Sequence, residues 1–178
     1  MLNVMLISMP YTILTMPSIG VAQLQAVVRK TMGNQAKVNS AYCYLDFAEF
    51  VGFEQYYTIG AYEGKGLHDW MFRRAAFDVP DNIDSYRAFY FSDGNFPRKR
   101  KIFDLVVEKR REIDKFLDGL INRYNLHDYQ VVGFTSMMSQ NVASFALAKR
   151  LKQLNPNVIT CMGGPSTEYP MGKTIAEN

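Results

Sequence analysis

The chain has 178 residues, 48% of them hydrophobic, and a formal net charge of +3. That length suits one domain with a real core, and so weak a charge bias demands no nucleic-acid partner. Cys43 and Cys161 lie far apart and form no CxxC pair, which argues against a disulfide framework and fits a reducing, cytoplasmic setting.

The amino terminus, MLNVMLISMP, carries no basic lead-in and is too short to span a membrane. Asn3 to Ser8 reads as the first strand, followed by a Pro-punctuated turn, MPYTILTMPSIG. Pro17 suits the first turn of a helix, where its missing N–H costs nothing. That helix runs to about Met32, stopped by Gly33 and Asn34. Lys37 to Leu45 alternates like a second strand, so a right-handed strand–helix–strand crossover is expected.

From about residue 46 to 127 the rhythm breaks. A plain crossover needs far fewer residues, so this is an insertion, helical at both ends. Phe47 to Phe53 is short and apolar, and residues 54 to 97 read as mostly irregular. Apolar spacing from Ile102 to Ile121 predicts one long amphipathic helix, opened by the basic cluster Arg98 to Lys101. Such a cluster is ordinarily a solvated helix start, with contact to an acidic partner as the alternative.

The stretch VVGFTSMMSQNVASFALAKRL, from Val131 to Leu151, reads as strand, turn and helix. Val131 to Phe134 is the buried strand, Ser139 a candidate N-cap, and Ala143, Leu147 and Leu151 the inner face of the helix. Val158 to Met162 is a fourth strand, Gly163, Gly164 and Pro165 a tight turn, and Lys173 to Asn178 a last helix. The expected fold is α/β: a Rossmann-like (flavodoxin-like) parallel sheet of order 2-1-3-4, with room for a fifth strand and the insertion between strands 2 and 3.

In such sheets, ligands bind at the carboxyl ends of the strands, at the switch point between the first and third. Three unusual turns fall there. Thr135, Ser136 and Ser139 offer hydroxyls, and Gly163 and Gly164 let backbone approach a flat ligand. GxGxxG and GxxxxGK[ST] are both absent, so neither a dinucleotide fingerprint nor a P-loop is present. His68 and His127 have no companion at metal spacing, and the Met137–Met138 pair reads as packing. A receiver domain would need acidic residues after the first strand and an Asp after the third, where the chain reads SMPYT and TSMMS.

The order VVGFTSMMSQNVASFALAKRLK…NPNVITCMGGPS, with LISMPYTILTMPSIGVAQLQAVV and YLDFAEFVG, resembles the cobalamin-binding domain of cobalamin-dependent radical S-adenosylmethionine enzymes. It is most similar to the amino-terminal part of those that mature ribosomally made peptides, a group associated with C-methylation. The resemblance implies cobalamin bound with its dimethylbenzimidazole tail detached from cobalt. Thr135, Ser136, Met137 and Gln140, with Gly163, Gly164 and Pro165, would line the tail. Pro10, Tyr11, Thr12, Pro17 and Ser18 would face the corrin. A precursor peptide is the implied partner, with no nucleic acid and no membrane. Two motifs depart from the pattern. DxHxxG is missing, so no first-turn histidine ligates cobalt from below. CxxxCxxC is missing too, so S-adenosylmethionine and a 4Fe-4S cluster would belong to a carboxy-terminal part of a longer enzyme, and residues 1–178 read as its amino-terminal fragment. No catalytic residue and no metal ligand is assigned to this chain. A cofactor-free module that recognises a peptide through the insertion is the rival reading.

Overall fold

The computed structural model describes residues 1–60, 64–94 and 96–177. Its centre is a four-stranded parallel sheet of order β2-β1-β3-β4, formed by β1 (Leu2–Ser8), β2 (Ala36–Tyr42), β3 (Val131–Thr135) and β4 (Ile159–Gly163). This is the Rossmann-like order expected. β1 joins β2 through α1 (Ile19–Met32), and β3 joins β4 through α8 (Asn141–Leu154). Between β2 and β3 lie α2 (Cys43–Val51), α3 (Phe53–Gly60), α4 (Leu67–Ala76), α5 (Ile83–Tyr90), α6 (Pro97–Arg110) and α7 (Ile113–Arg123). A short α9 (Met171–Glu177) follows β4.

Parallel neighbours share a face, so alternation separates the sheet into two sides. Met5, Ile7, Val132 and Phe134 belong to the main core together with the insertion and α8. Val4, Val21, Ala36 and Val38 are also buried but stand outside that cluster, as a small second core beneath α1. Right-handed crossovers explain the division: the chain moves one way from β1 to β2 and the other way from β2 to β3 and from β3 to β4.

The insertion is an aromatic-rich helical layer. Phe47 is fully buried, and its ring meets Tyr11, Phe50, Tyr56, Phe72 and Phe116 at centroid distances of 5.2 to 6.3 Å. Trp70 stacks on Tyr86 at 4.2 Å, and the buried Arg110 guanidinium lies 4.4 Å from the Trp70 ring. Arg110 also donates to Trp70 O at 3.2 Å and pairs with Asp81 at 2.7 Å.

Several boundaries differ from the sequence reading. β2 ends at Tyr42, and Cys43 begins a helix. Alternation through Ala41, Cys43 and Leu45 fits a strand, but burial of Tyr44, Phe47, Ala48 and Val51 needs the helical period. The described residues between 54 and 97 are largely helical rather than irregular, because Tyr56, Ile59, Trp70, Met71, Phe72, Tyr86 and Tyr90 bury one face of short helices; residues 61–63 and 95 lie outside the described residues. The single long helix is two, α6 and α7. Glu108 to Glu112 offers no apolar residue to bury, and the chain tightens there through Arg111 N–H to Glu108 O and Glu112 N–H to Lys109 O. Ser18, not Pro17, opens α1: its Oγ accepts from Val21 N–H, and Pro17 stands just outside. Gln140 rather than Ser139 occupies the N-cap of α8. Within the basic cluster Lys99 is buried, over the Tyr90 ring and bonded to Asp93.

Candidate functional site

The register brings four strand ends to one line, with Ser8 opposite both Tyr42 and Thr135, and Thr135 opposite Gly163. The three turns singled out in the sequence therefore do converge. Ser136 N–H donates to Gly163 O at 2.8 Å, which continues the β3–β4 ladder one step past the strands. Gly164 has φ of 123°, and a Cβ there would stand 2.4 Å from Ser136 O. Gly164 thus welds the two turns together instead of walling a slot, and no other residue fits.

Much of the polar character at this edge is spent inside the protein. Gln140, 3% exposed, donates through Nε2 to Met9 O at 2.8 Å and to Ser8 Oγ at 3.3 Å, while its Oε1 accepts from Met137 N–H at 3.0 Å. It ties the first turn to the third. Ser136 is fully buried, and its hydroxyl donates to Asn141 Oδ1. Pro10 is buried, and Tyr11 stacks on His68 at 3.8 Å and donates to Met71 Sδ. Burial pushes the Tyr11 and Tyr56 phenols up, so both stay neutral. The Tyr56 hydroxyl clamps Thr12, accepting from its N–H at 2.8 Å and donating to its carbonyl at 2.7 Å. These residues set the shape of the edge and do not offer themselves to a ligand.

Other predicted residues remain reachable. Thr12, Ser18 and Thr135 are half-buried, and Pro17, Met137, Gly163, Gly164 and Pro165 are exposed. Met137, 54% exposed, is not the packing residue the sequence suggested; Met138's side chain lies outside the described residues. A Cβ at Gly163 would meet nothing within 4 Å. Gly163 and Thr135 pair, so they face the same side of the sheet as Gly133 and Cys161. Cys161 Sγ and Leu6 Cδ2 flank Gly133, at 3.4 and 3.1 Å from the position its Cβ would take.

This side is the α1 side, and α1 covers only half of it. Gln25 and Arg29 both donate to Val38 O, which ties that flank of the helix to β2. Leu24 and Val27 fall on the other flank, 54% and 49% exposed. Along this side buried Gly133, half-buried Thr135 and exposed Cys161 and Gly163 line up beside Leu6, next to the Leu24 flank of α1, in a strip termed the trough. Leu6, Gly133 and Cys161 were missed in the sequence, although the period of two in VVGFT and ITCMG carries the signal.

Electrostatically the trough is neutral. Burial pushes the Cys161 thiol up. His68 Nε2 faces Ile59 O inside the insertion, and His127 sits before β3, at the opposite edge of the sheet. Among the described residues there is no cluster of three His, Cys, Asp or Glu placed to hold a metal, and no helix long and apolar enough to cross a membrane. No protein-family model matches the chain, and no curated protein or solved structure matches it significantly.

Proposed function

We propose that the trough at the carboxyl edge takes the nucleotide tail of cobalamin, and that the chain is the cobalamin-binding, amino-terminal domain of a radical S-adenosylmethionine enzyme acting on a ribosomally made peptide. The supporting observation is the run of small residues, Gly133, Thr135 and Gly163, on one side of two adjacent strands, its exposed end at Gly163 beside exposed Cys161. A flat heteroaromatic base needs a floor without large side chains and an apolar wall, and α1 offers Leu24 and Val27 as that wall. The residues fit a tail-detached cofactor without a protein imidazole, since His68 is buried behind Tyr11 with its Nε2 on Ile59 O, and His127 sits at the opposite edge. Bound there, cobalamin would supply a methyl carrier. This chain's part is to hold the tail and present the corrin to a partner domain. The cluster and S-adenosylmethionine belong elsewhere, because two separated cysteines cannot supply three cluster thiolates. C-methylation of a precursor peptide is the reaction this reading names.

A second reading, a cofactor-free module that recognises a peptide, is favoured by Phe53 and Tyr57. They stand one turn apart on α3 and are 60% and 53% exposed.

Hydroxocobalamin tests the choice. Wild-type chain is expected to retain it through gel filtration with an altered visible spectrum. Gly163→Leu adds a side chain whose Cβ meets no protein atom and should weaken retention about tenfold or more, by the overpacking it forces on the ligand. Lys115→Ala, on exposed α7 surface, should change nothing. Gly164→Leu is the wrong variant, since it would break the Ser136 contact and the turn with it. Failure of wild type to bind, or undiminished binding by Gly163→Leu, puts the peptide reading ahead.

A further inference from the structure

A cavity lies between the insertion and the start of α8, along one face of α4. It has a volume of about 330 Å³ and is lined by Asp69, Trp70, Arg73, Phe77, Tyr86 and Val142, among others. That volume sits at the small end of the range for small-molecule sites, roughly 300–1,000 Å³.

Its charges are arranged unusually. Asp69 and Arg73 are one helical turn apart, in the order that ordinarily pairs on a helix surface. They do not pair. Arg73 Nη1 instead donates to Pro80 O at 3.2 Å and to Asn82 Oδ1 at 3.3 Å. Among the described residues its Nε and Nη2 find no hydrogen-bond partner. Asp69 Oδ1 is shut off from solvent without a hydrogen-bond partner. A buried acceptor left so is unfavourable. Burial correspondingly pushes the Asp69 carboxyl up.

The other walls are apolar or already satisfied. The Trp70 indole N–H donates to Asn82 Oδ1 at 2.9 Å, and the Tyr86 hydroxyl donates to Lys65 O at 2.8 Å. Phe77 and Val142 complete an apolar side.

We propose that this cavity binds a free α-amino acid with an apolar side chain, its ammonium on Asp69 and its carboxylate on Arg73. An ammonium and a carboxylate on one carbon, each reaching about 2.8 Å to its partner, bridge side chains whose Cβ atoms are about 5–6 Å apart. An arginine edge with unspent donors suits a carboxylate better than a point charge does. A lone cation would be opposed by Arg73, and a lone anion by Asp69. Only a ligand carrying both charges satisfies the two side chains together, and the aromatic side receives its alkyl group. This site is separate from the cobalamin trough and does not depend on that reading.

Trp70 is the chain's single tryptophan, so its fluorescence reports the cavity directly. The probes are L-leucine, N-acetyl-L-leucine, which lacks the ammonium, and L-leucinamide, which lacks the carboxylate. The full chain is expected to give a saturable change with L-leucine. Each analogue should bind about tenfold more weakly or worse, the loss typical of one charge-assisted contact. Asp69→Asn and Arg73→Gln should weaken L-leucine similarly, while Asp84→Asn, exposed on α5, should not. The wild-type analogue series decides the matter even if a variant folds poorly by circular dichroism. No saturable change with L-leucine overturns the proposal. So does leucinamide binding as well as leucine, which marks a simple cation site, or N-acetyl-leucine doing so, which marks an anion site.

Discussion

The two sides of the sheet are covered in different ways. Beneath the insertion, Met5, Ile7, Val132 and Phe134 disappear into a continuous core with Phe47, Phe72 and Phe116. On the α1 side, Val4 and Val38 are covered, but Cys161 and Gly163 of β4 are not, and Leu24 and Val27 of the helix stand in solvent. Parallel sheets are ordinarily buried on both faces. The difference is one of burial: one side is sealed into the core, and the other stays open along β4.

That division is broken or sharpened by substitution. The largest effect belongs to Phe47→Ala, which empties a fully buried site touched by five aromatic rings. A loss of about 3–5 kcal/mol in urea unfolding is expected. Leu24→Ala, of comparable chemistry on the other side, should stay within about 0.5 kcal/mol. Equal losses would mean the α1 side is sealed after all.

Next come the neighbouring glycines. Gly164→Ala forces a positive φ on a β-carbon that strikes Ser136, and should cost about 1–3 kcal/mol or more. Gly163→Ala meets open space and should shift the urea midpoint hardly at all. A matched loss at both would place Gly163 in a contact the trough does not allow.

Arg110→Met removes a buried cation from Trp70 and Asp81. Asp81 reaches solvent, so the stranded carboxylate is rehydrated, and a loss of about 1–3 kcal/mol is expected. Its near-ultraviolet circular dichroism should change with it, since Trp70 loses its stacked guanidinium.

The smallest effect is a gain. Burial raises the folded pKa of Asp69 above its unfolded value, so its ionisation works against the fold. The stability linked to this group is whole below the unfolded pKa and is lost as pH rises through the folded one. Asp69→Asn should therefore be slightly more stable than wild type at pH 7, and the advantage should shrink as both are acidified below about pH 4. Paired thermal melts at the two pH values check the sign.

How much of this was legible beforehand depended on distance along the chain. The strands were readable because apolar runs such as Val131–Phe134 sit between strong turn signals. The order of the sheet was expected from the Rossmann-like pattern of alternating strands and helices. The insertion was misread because its helices are short and punctuated by Gly52, Gly60 and Gly66, and because their apolar faces are aromatic residues that resemble strand composition. At the site, residue types could be placed at the edge, but not their allegiance. Gln140, Ser136 and Tyr11 look like ligand-facing residues in sequence, and only their partners Met9, Asn141 and His68 reveal them as internal braces. The Asp69–Arg73 pair was invisible for a similar reason, since spacing alone predicts a mutual ion pair, and the loop at Pro80 diverts the arginine.

The position of β1 sets the order in which the molecule assembles. Val4 pairs with Val38, reached after a single helix, and with Val131, reached only after the whole insertion. The first pairing is local and fast, whereas the second must close a very long loop. Until β3 emerges from the ribosome, the inner edge of β1 is unpaired and open to the wrong strand. Within the insertion, α4 packs most heavily on α8, which follows β3, so the insertion's core is completed only after β3 has joined the sheet and α8 has folded onto it.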